Sequence, residues 1–162
     1  MTLRASCFVL LASIALGAFA ALLPGQASAD PSPFDTLLGS WGGTGEIRLD
    51  QGRKERIKCN AYYTGGGAQL SLAIRCQSES YKIEIRSKLS YSGGRLSGNW
   101  EERTFNATGT ASGTATASNI RLSITGPVTG SMNVNFTKSR QSVSISTRGT
   151  ALQGVNITLG RS

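Results

Sequence analysis

Residues 81–91, YKIEIRSKLSY, set the reading of this chain. Tyr81, Ile83, Ile85, Leu89 and Tyr91 fall on one side of an extended backbone. Lys82, Glu84, Arg86 and Lys88 fall on the other. A period of two with one apolar and one charged face belongs to a strand that covers a core and meets water. The same period runs through most of the sequence beyond residue 29, and no segment there sustains a helical one.

Hairpin arithmetic extends the reading, because paired residues sum to a constant and buried residues must face buried residues. A turn at Gly93-Gly94 pairs Tyr91 with Leu96 and Leu89 with Gly98. Placing Cys59 opposite Cys76 also pairs Ala61 with Ile74 and Tyr63 with Leu72. Turns at Ser78-Glu79, Ser118-Asn119 and Ser139-Arg140 would pair Cys76 with Tyr81, Ala115 with Leu122, and Phe136 with Val143. Strands are predicted near 39–49, 55–65, 69–77, 80–92, 95–104, 107–117, 120–125, 131–138, 141–148 and 153–160. A meander of this kind has two exposed edges unless it closes. The expected fold is therefore all-β: a single antiparallel up-and-down barrel of eight to ten strands, with one cross-strand disulfide, Cys59–Cys76. The disulfide closes a loop of about 16 residues and is worth roughly 3 kcal/mol.

Residues 1–29 stand apart. Arg4, the apolar stretch Cys7–Leu23, the break at Pro24-Gly25 and the small-residue site Ala27-Ser28-Ala29 follow the plan of a secretory signal peptide cleaved after Ala29. A membrane anchor is the other reading of that stretch, which is marginal in length for a span. The domain plan is then a cleaved leader (1–29), an N-terminal tether or plug (30–38) and the barrel (39–162), in the periplasm or secreted from a bacterium. An even pair of cysteines beyond the leader agrees with an oxidising compartment.

The net charge is +8, with 17 basic and 9 acidic residues, and no acid follows Glu102. A basic side of the fold favours anionic partners. Arg53, Lys54, Arg56 and Lys58 form a basic hairpin, read either as a solvated edge or as contact with an anionic envelope surface. The chain contains no histidine, which removes the usual ligand or base of metal, haem and Ser-His chemistry. Glu101 and Glu102 are adjacent on a strand and point to opposite faces, so they cannot act together on one ligand. No metal, cofactor, nucleic-acid partner or enzymatic activity is expected.

In GSWGGTGEI (39–47) a tryptophan sits among glycines that let the strand bend and let other side chains approach. The preceding PFDTLL predicts a short turn capped by Asp35 that plugs the same end of the barrel. In ATGTASGTATAS (107–118), Ala and Gly alternate with Thr and Ser. Small inward residues either accommodate large neighbours such as Trp100 or leave room for a ligand.

Gly39-Ser40-Trp41 at the start of the first strand resembles the G-x-W opening of the calycin superfamily, which includes lipocalins, fatty-acid-binding proteins, avidins and nitrobindin-like barrels. The resemblance implies a barrel with a closed Trp end and an open end for a small apolar ligand. It also implies an Arg of the last strand packed over the Trp, here Arg161, with Arg148 as the fallback. The other lipocalin motifs, a helical lid and a haem-ligating histidine are absent from the sequence. Periplasmic metalloprotease inhibitors of the same fold group use an N-terminal segment, a part DPSPFD (30–35) would play.

The functional expectation is an exported, non-catalytic barrel that binds a small apolar or amphipathic molecule. Candidate ligand contacts are Tyr63, Leu72, Ile85, Trp100, Glu102, Ala111 and Gly113, and Glu102 is either a polar anchor or a rim residue. Gly39, Trp41, Arg161, Cys59 and Cys76 are the structural set. The alternatives are a protein-interaction barrel, either a protease inhibitor or an envelope-associated structural factor, and an outer-membrane barrel with its apolar face turned to lipid.

Overall fold

A computed structural model describes residues 32–162. The signal-peptide reading of residues 1–29 lies outside the described residues. Ten strands follow one another with short connections: β1 (Gly39–Leu49), β2 (Lys54–Gly66), β3 (Gln69–Gln77), β4 (Lys82–Ser92), β5 (Arg95–Glu102), β6 (Ala107–Ala115), β7 (Asn119–Thr125), β8 (Thr129–Phe136), β9 (Arg140–Arg148) and β10 (Leu152–Arg161). Each pairs antiparallel with its chain neighbours, and β1 pairs with β10, so the sheet closes into a barrel and leaves no free edge. The alternation explains the closure: Ile47, Ile57, Ile74, Ile83, Leu122, Val134 and Ile157 all turn inward and are buried.

The β2–β3 and β4–β5 registers are those the sequence predicts, with Cys59 opposite Cys76 and Tyr91 opposite Leu96. Cys59 and Cys76 form the disulfide, with Cα atoms 4.1 Å apart inside the barrel. Three other hairpins are shifted by one pair. Cys76 faces Ile83, Ala115 faces Ile120, and Phe136 faces Gln141. The cause is shared. SESY (78–81), TASN (116–119) and TKSR (137–140) each begin with a hydroxyl that accepts from the amide three residues on: Ser78 Oγ from Tyr81 N (3.0 Å), Thr116 Oγ1 from Asn119 N (3.2 Å) and Thr137 Oγ1 from Arg140 N (3.1 Å). The hydroxyl fixes which two residues form the loop. A shift by a whole pair keeps every side chain on its face, which is why the inward set survives it.

The outward positions are mostly polar or charged, as in β2, where Lys54, Arg56, Lys58 and Asn60 are exposed and Tyr62 is the one large apolar exception. The outer-membrane reading requires an apolar outer band. The apolar face instead lines the interior with the disulfide, and that reading is withdrawn.

Candidate functional site

The two ends of the barrel differ. At the end where β1 begins, Pro33–Thr36 forms a 3-10 turn that buries Phe34 and Leu37 completely. Its cap is Ser32, whose Oγ accepts from Phe34 N (3.1 Å). Asp35, the predicted cap, instead accepts from Gly67 N across the barrel end (3.4 Å). Trp41 is buried and donates Nε1–H to Leu37 O (2.7 Å). Arg161 lies over the indole at 4.4 Å from its centroid. Its guanidinium donates to Lys138 O, Leu38 O and Thr36 O at 2.6–2.7 Å, tying the plug, β10 and the β8–β9 turn together. The glycines beside Trp41 are needed for close approach: a Cβ at Gly45 would come within 2.0 Å of Asn156 O on β10.

Above this plug the sequence predicts Tyr63 but not its partner. Gln141 is fully buried, and its Oε1 accepts from the Tyr63 hydroxyl at 2.9 Å across the lumen. Its Nε2 has no hydrogen-bond partner among the described residues. Burial pushes the Tyr63 phenol well above its ordinary range, against the opposing effect of the Gln141 bond. The signal was present, since Gln141, Val143 and Ile145 share one parity, but a polar residue at a strand start is ordinarily read as turn.

Toward the opposite end several inward residues of β4 to β10 are only half-buried, although Ile83 and Val155 there are buried. Ile85, Trp100, Ile124, Met132, Ile145 and Leu152 line this mouth. Trp100 donates Nε1–H to Thr125 O (3.3 Å), and its ring lies where Cβ atoms at Gly109 or Gly126 would stand within 2.8 and 3.2 Å. The small residues of β6 thus make room for Trp100. Ala111 and Gly113 continue that inner face deeper, with Ala111 buried, and Leu72 is buried on the far wall. Ile85 and Trp100 therefore stand at the mouth, Leu72, Ala111 and Gly113 in the barrel body, and Tyr63 near the plug.

Glu102 sits at the rim. Its two carboxylate oxygens accept from Glu84 N (2.8 Å) and Phe105 N (2.6 Å), so it braces the loop 103–106, which holds Phe105 exposed. Of the basic hairpin, Arg53 pairs with Asp50 (3.7 Å) and Lys54 with Glu46 (3.1 Å).

Two more carboxylates brace the mouth end. Hydrogen bonds from Ser78 Oγ (2.7 Å) and then Ser80 N (3.0 Å) hold Glu55 below the ordinary carboxylate range. Desolvation works against the Glu84 carboxylate, but the guanidiniums of Arg75, Arg103 and Arg86, at 3.4–3.6 Å, outweigh it and lower its pKa. A folded-state pKa below the unfolded one gives stability that is present above the ordinary value of 4.5 and lost as pH falls through the folded value. The urea midpoint is therefore expected to hold from neutral pH to about pH 5 and to fall below it. Glu55→Gln/Glu84→Gln should flatten that fall.

No protein-family model matches the sequence, and no curated protein matches it. Among solved structures, the barrel is similar to the S-type phycobiliprotein lyase of Guillardia theta. The TM-score is 0.52 at 14% identity, over 79% of this chain and 89% of that one. The likeness is one of fold, a closed antiparallel β-barrel. The matched protein is named as a lyase, an enzyme, and this corrects the expectation drawn from the sequence that such a barrel has no enzymatic activity. The absence of histidine excludes one kind of chemistry and does not exclude catalysis by a barrel.

Proposed function

We propose that this protein is an exported calycin-like barrel that takes a small apolar or amphipathic molecule at its open end. The observation that carries this reading is the asymmetry of the interior. One end is sealed by Phe34, Leu37, Trp41 and Arg161, while Ile85, Trp100, Ile124, Met132, Ile145 and Leu152 present half-buried apolar surface at the other. Apolar side chains left partly wet gain free energy when a ligand covers them, at about 25 cal/mol per Å². Glu102 and the loop it braces form the polar rim, where the head of an amphipathic ligand would sit. Export rests on the leader reading of residues 1–29, and the likeness to the phycobiliprotein lyase supports the barrel build.

The chain has two tryptophans, one in the sealed end and one at the mouth, so its own fluorescence tests the site. Titration with the apolar probe 1-anilinonaphthalene-8-sulfonate is expected to quench emission, and Trp100→Phe to abolish the quenching while Trp41 emission stays. Quenching that persists in Trp100→Phe, or none in the parent, would contradict the reading.

A further inference from the structure

The outer wall carries a second concave surface. Two adjoining grooves run across the outer faces of β6–β9, with volumes of about 490 and 370 Å³, and they share Ser131 and Ser146. The registers explain the lining. Ser90, Ser97, Ser112, Ser123, Ser131 and Ser146 stand directly opposite one another on six successive strands, all outward and exposed. Strands lie roughly 4.8 Å apart, so the wall bears an exposed hydroxyl at that interval. Of this row, Ser123, Ser131 and Ser146 line the grooves. The next row along the strands reads Thr114, Arg121, Asn133 and Ser144.

The trough is charged as well as hydroxylated. Arg121 lines one groove and Arg148 the other. By strand rise and spacing their Cα atoms are roughly 16 Å apart. Among the described residues neither pairs with a carboxylate, and no acid occurs in the chain beyond Glu102. Past Ser146 the serine row meets Gly154, and there Arg48 lies flat: a Cβ at Gly154 would be 2.6 Å from its Nη2. The acids that neutralise the other half of the barrel have no counterpart on this one.

We propose that this trough binds an acidic polysaccharide. Each serine hydroxyl both donates and accepts, as the hydroxyls of a glycan do, so hydrogen bonds to water can be exchanged along the whole row. Guanidiniums at the two ends take carboxylate or sulfate groups bidentately. A single-stranded nucleic acid would call for aromatic platforms under its bases, and the trough lining contains no aromatic residue.

The test is the affinity of the purified protein for dextran sulfate, measured by calorimetry beside neutral dextran and polyglutamate. Dextran sulfate is expected to bind, neutral dextran not measurably, and polyglutamate, which has acids without hydroxyls, at least tenfold more weakly. Arg121→Ala/Arg148→Ala should weaken dextran sulfate binding about tenfold, and Ser131→Leu, which fills the trough without changing charge, by a similar factor. Arg56→Ala/Lys58→Ala removes the same charge from the opposite wall and should change it less than twofold. Equal losses from the two charge pairs would overturn the proposal. So would polyglutamate binding as tightly as dextran sulfate, or a folded Ser131→Leu variant that binds unchanged. Should Ser131→Leu fail to fold, the comparison of the two charge pairs decides.

Discussion

Trp41→Ala is expected to lower the free energy of unfolding by about 4 kcal/mol, the middle of the range for truncating a buried aromatic. The side chain is almost fully buried, and three things go with it. The indole volume becomes a cavity between the plug and the barrel. Leu37 O loses its donor, so the 3-10 turn is no longer tied to β1. Arg161 loses the ring it stacks on, although its three carbonyl partners remain. Trp41→Phe keeps a ring beneath the guanidinium and should recover more than half of the loss. Because Trp41 and Arg161 share the plug, their effects should not add: the double variant Trp41→Ala/Arg161→Ala is expected to lose less than the sum of the singles by about 1 kcal/mol. Urea unfolding followed by circular dichroism measures all of these values.

Removing the disulfide should cost about 3 kcal/mol, the loop-closure value for a bridge spanning 17 positions. Cys59→Ala/Cys76→Ala is the appropriate variant, because both sulfurs face the interior and paired serines would bury hydroxyls there. The bridge adds a covalent tie to a β2–β3 pairing that Ala61–Ile74 and Tyr63–Leu72 already specify, so the folded barrel should persist without it. Most of the loss then comes from a looser unfolded chain, and the dependence on urea should steepen as the midpoint falls. An unchanged midpoint under dithiothreitol, with both thiols shown to be free, would contradict this account.

The barrel was legible because alternation and pair arithmetic act together. Ile74, Ile83, Leu122 and Ile157 declare the inner face, and Cys59 opposite Cys76 sets one register from which neighbours follow. The three shifted hairpins show where such reading stops. Matching apolar residues fixes parity, yet a slip by a whole pair preserves parity, and only the hydroxyls of Ser78, Thr116 and Thr137 decide between the two choices. The site was less legible for a different reason. Parity marks a residue as inward but not how well it is covered: Ile83 and Ile85 share one face of β4, yet Ile83 is buried and Ile85 is not. Ile85 and Ile57 read alike in sequence, yet Ile57 is buried and Ile85 is half-exposed at the mouth. Glu102 was legible as inward, but its partners, the amides of Glu84 and Phe105, are set by a loop whose path no periodicity encodes. The serine row on the outer wall likewise exists only once six strands are in register.

Binding of a small molecule at the open end is the central claim, and native mass spectrometry of the protein, purified from its own host without detergent, tests it most directly. The account predicts a chain that begins at Asp30 and carries an adduct lost on denaturation, with Trp100→Ala largely free of it. A bare mass from the host, together with no uptake of an apolar probe by the purified barrel, would contradict it.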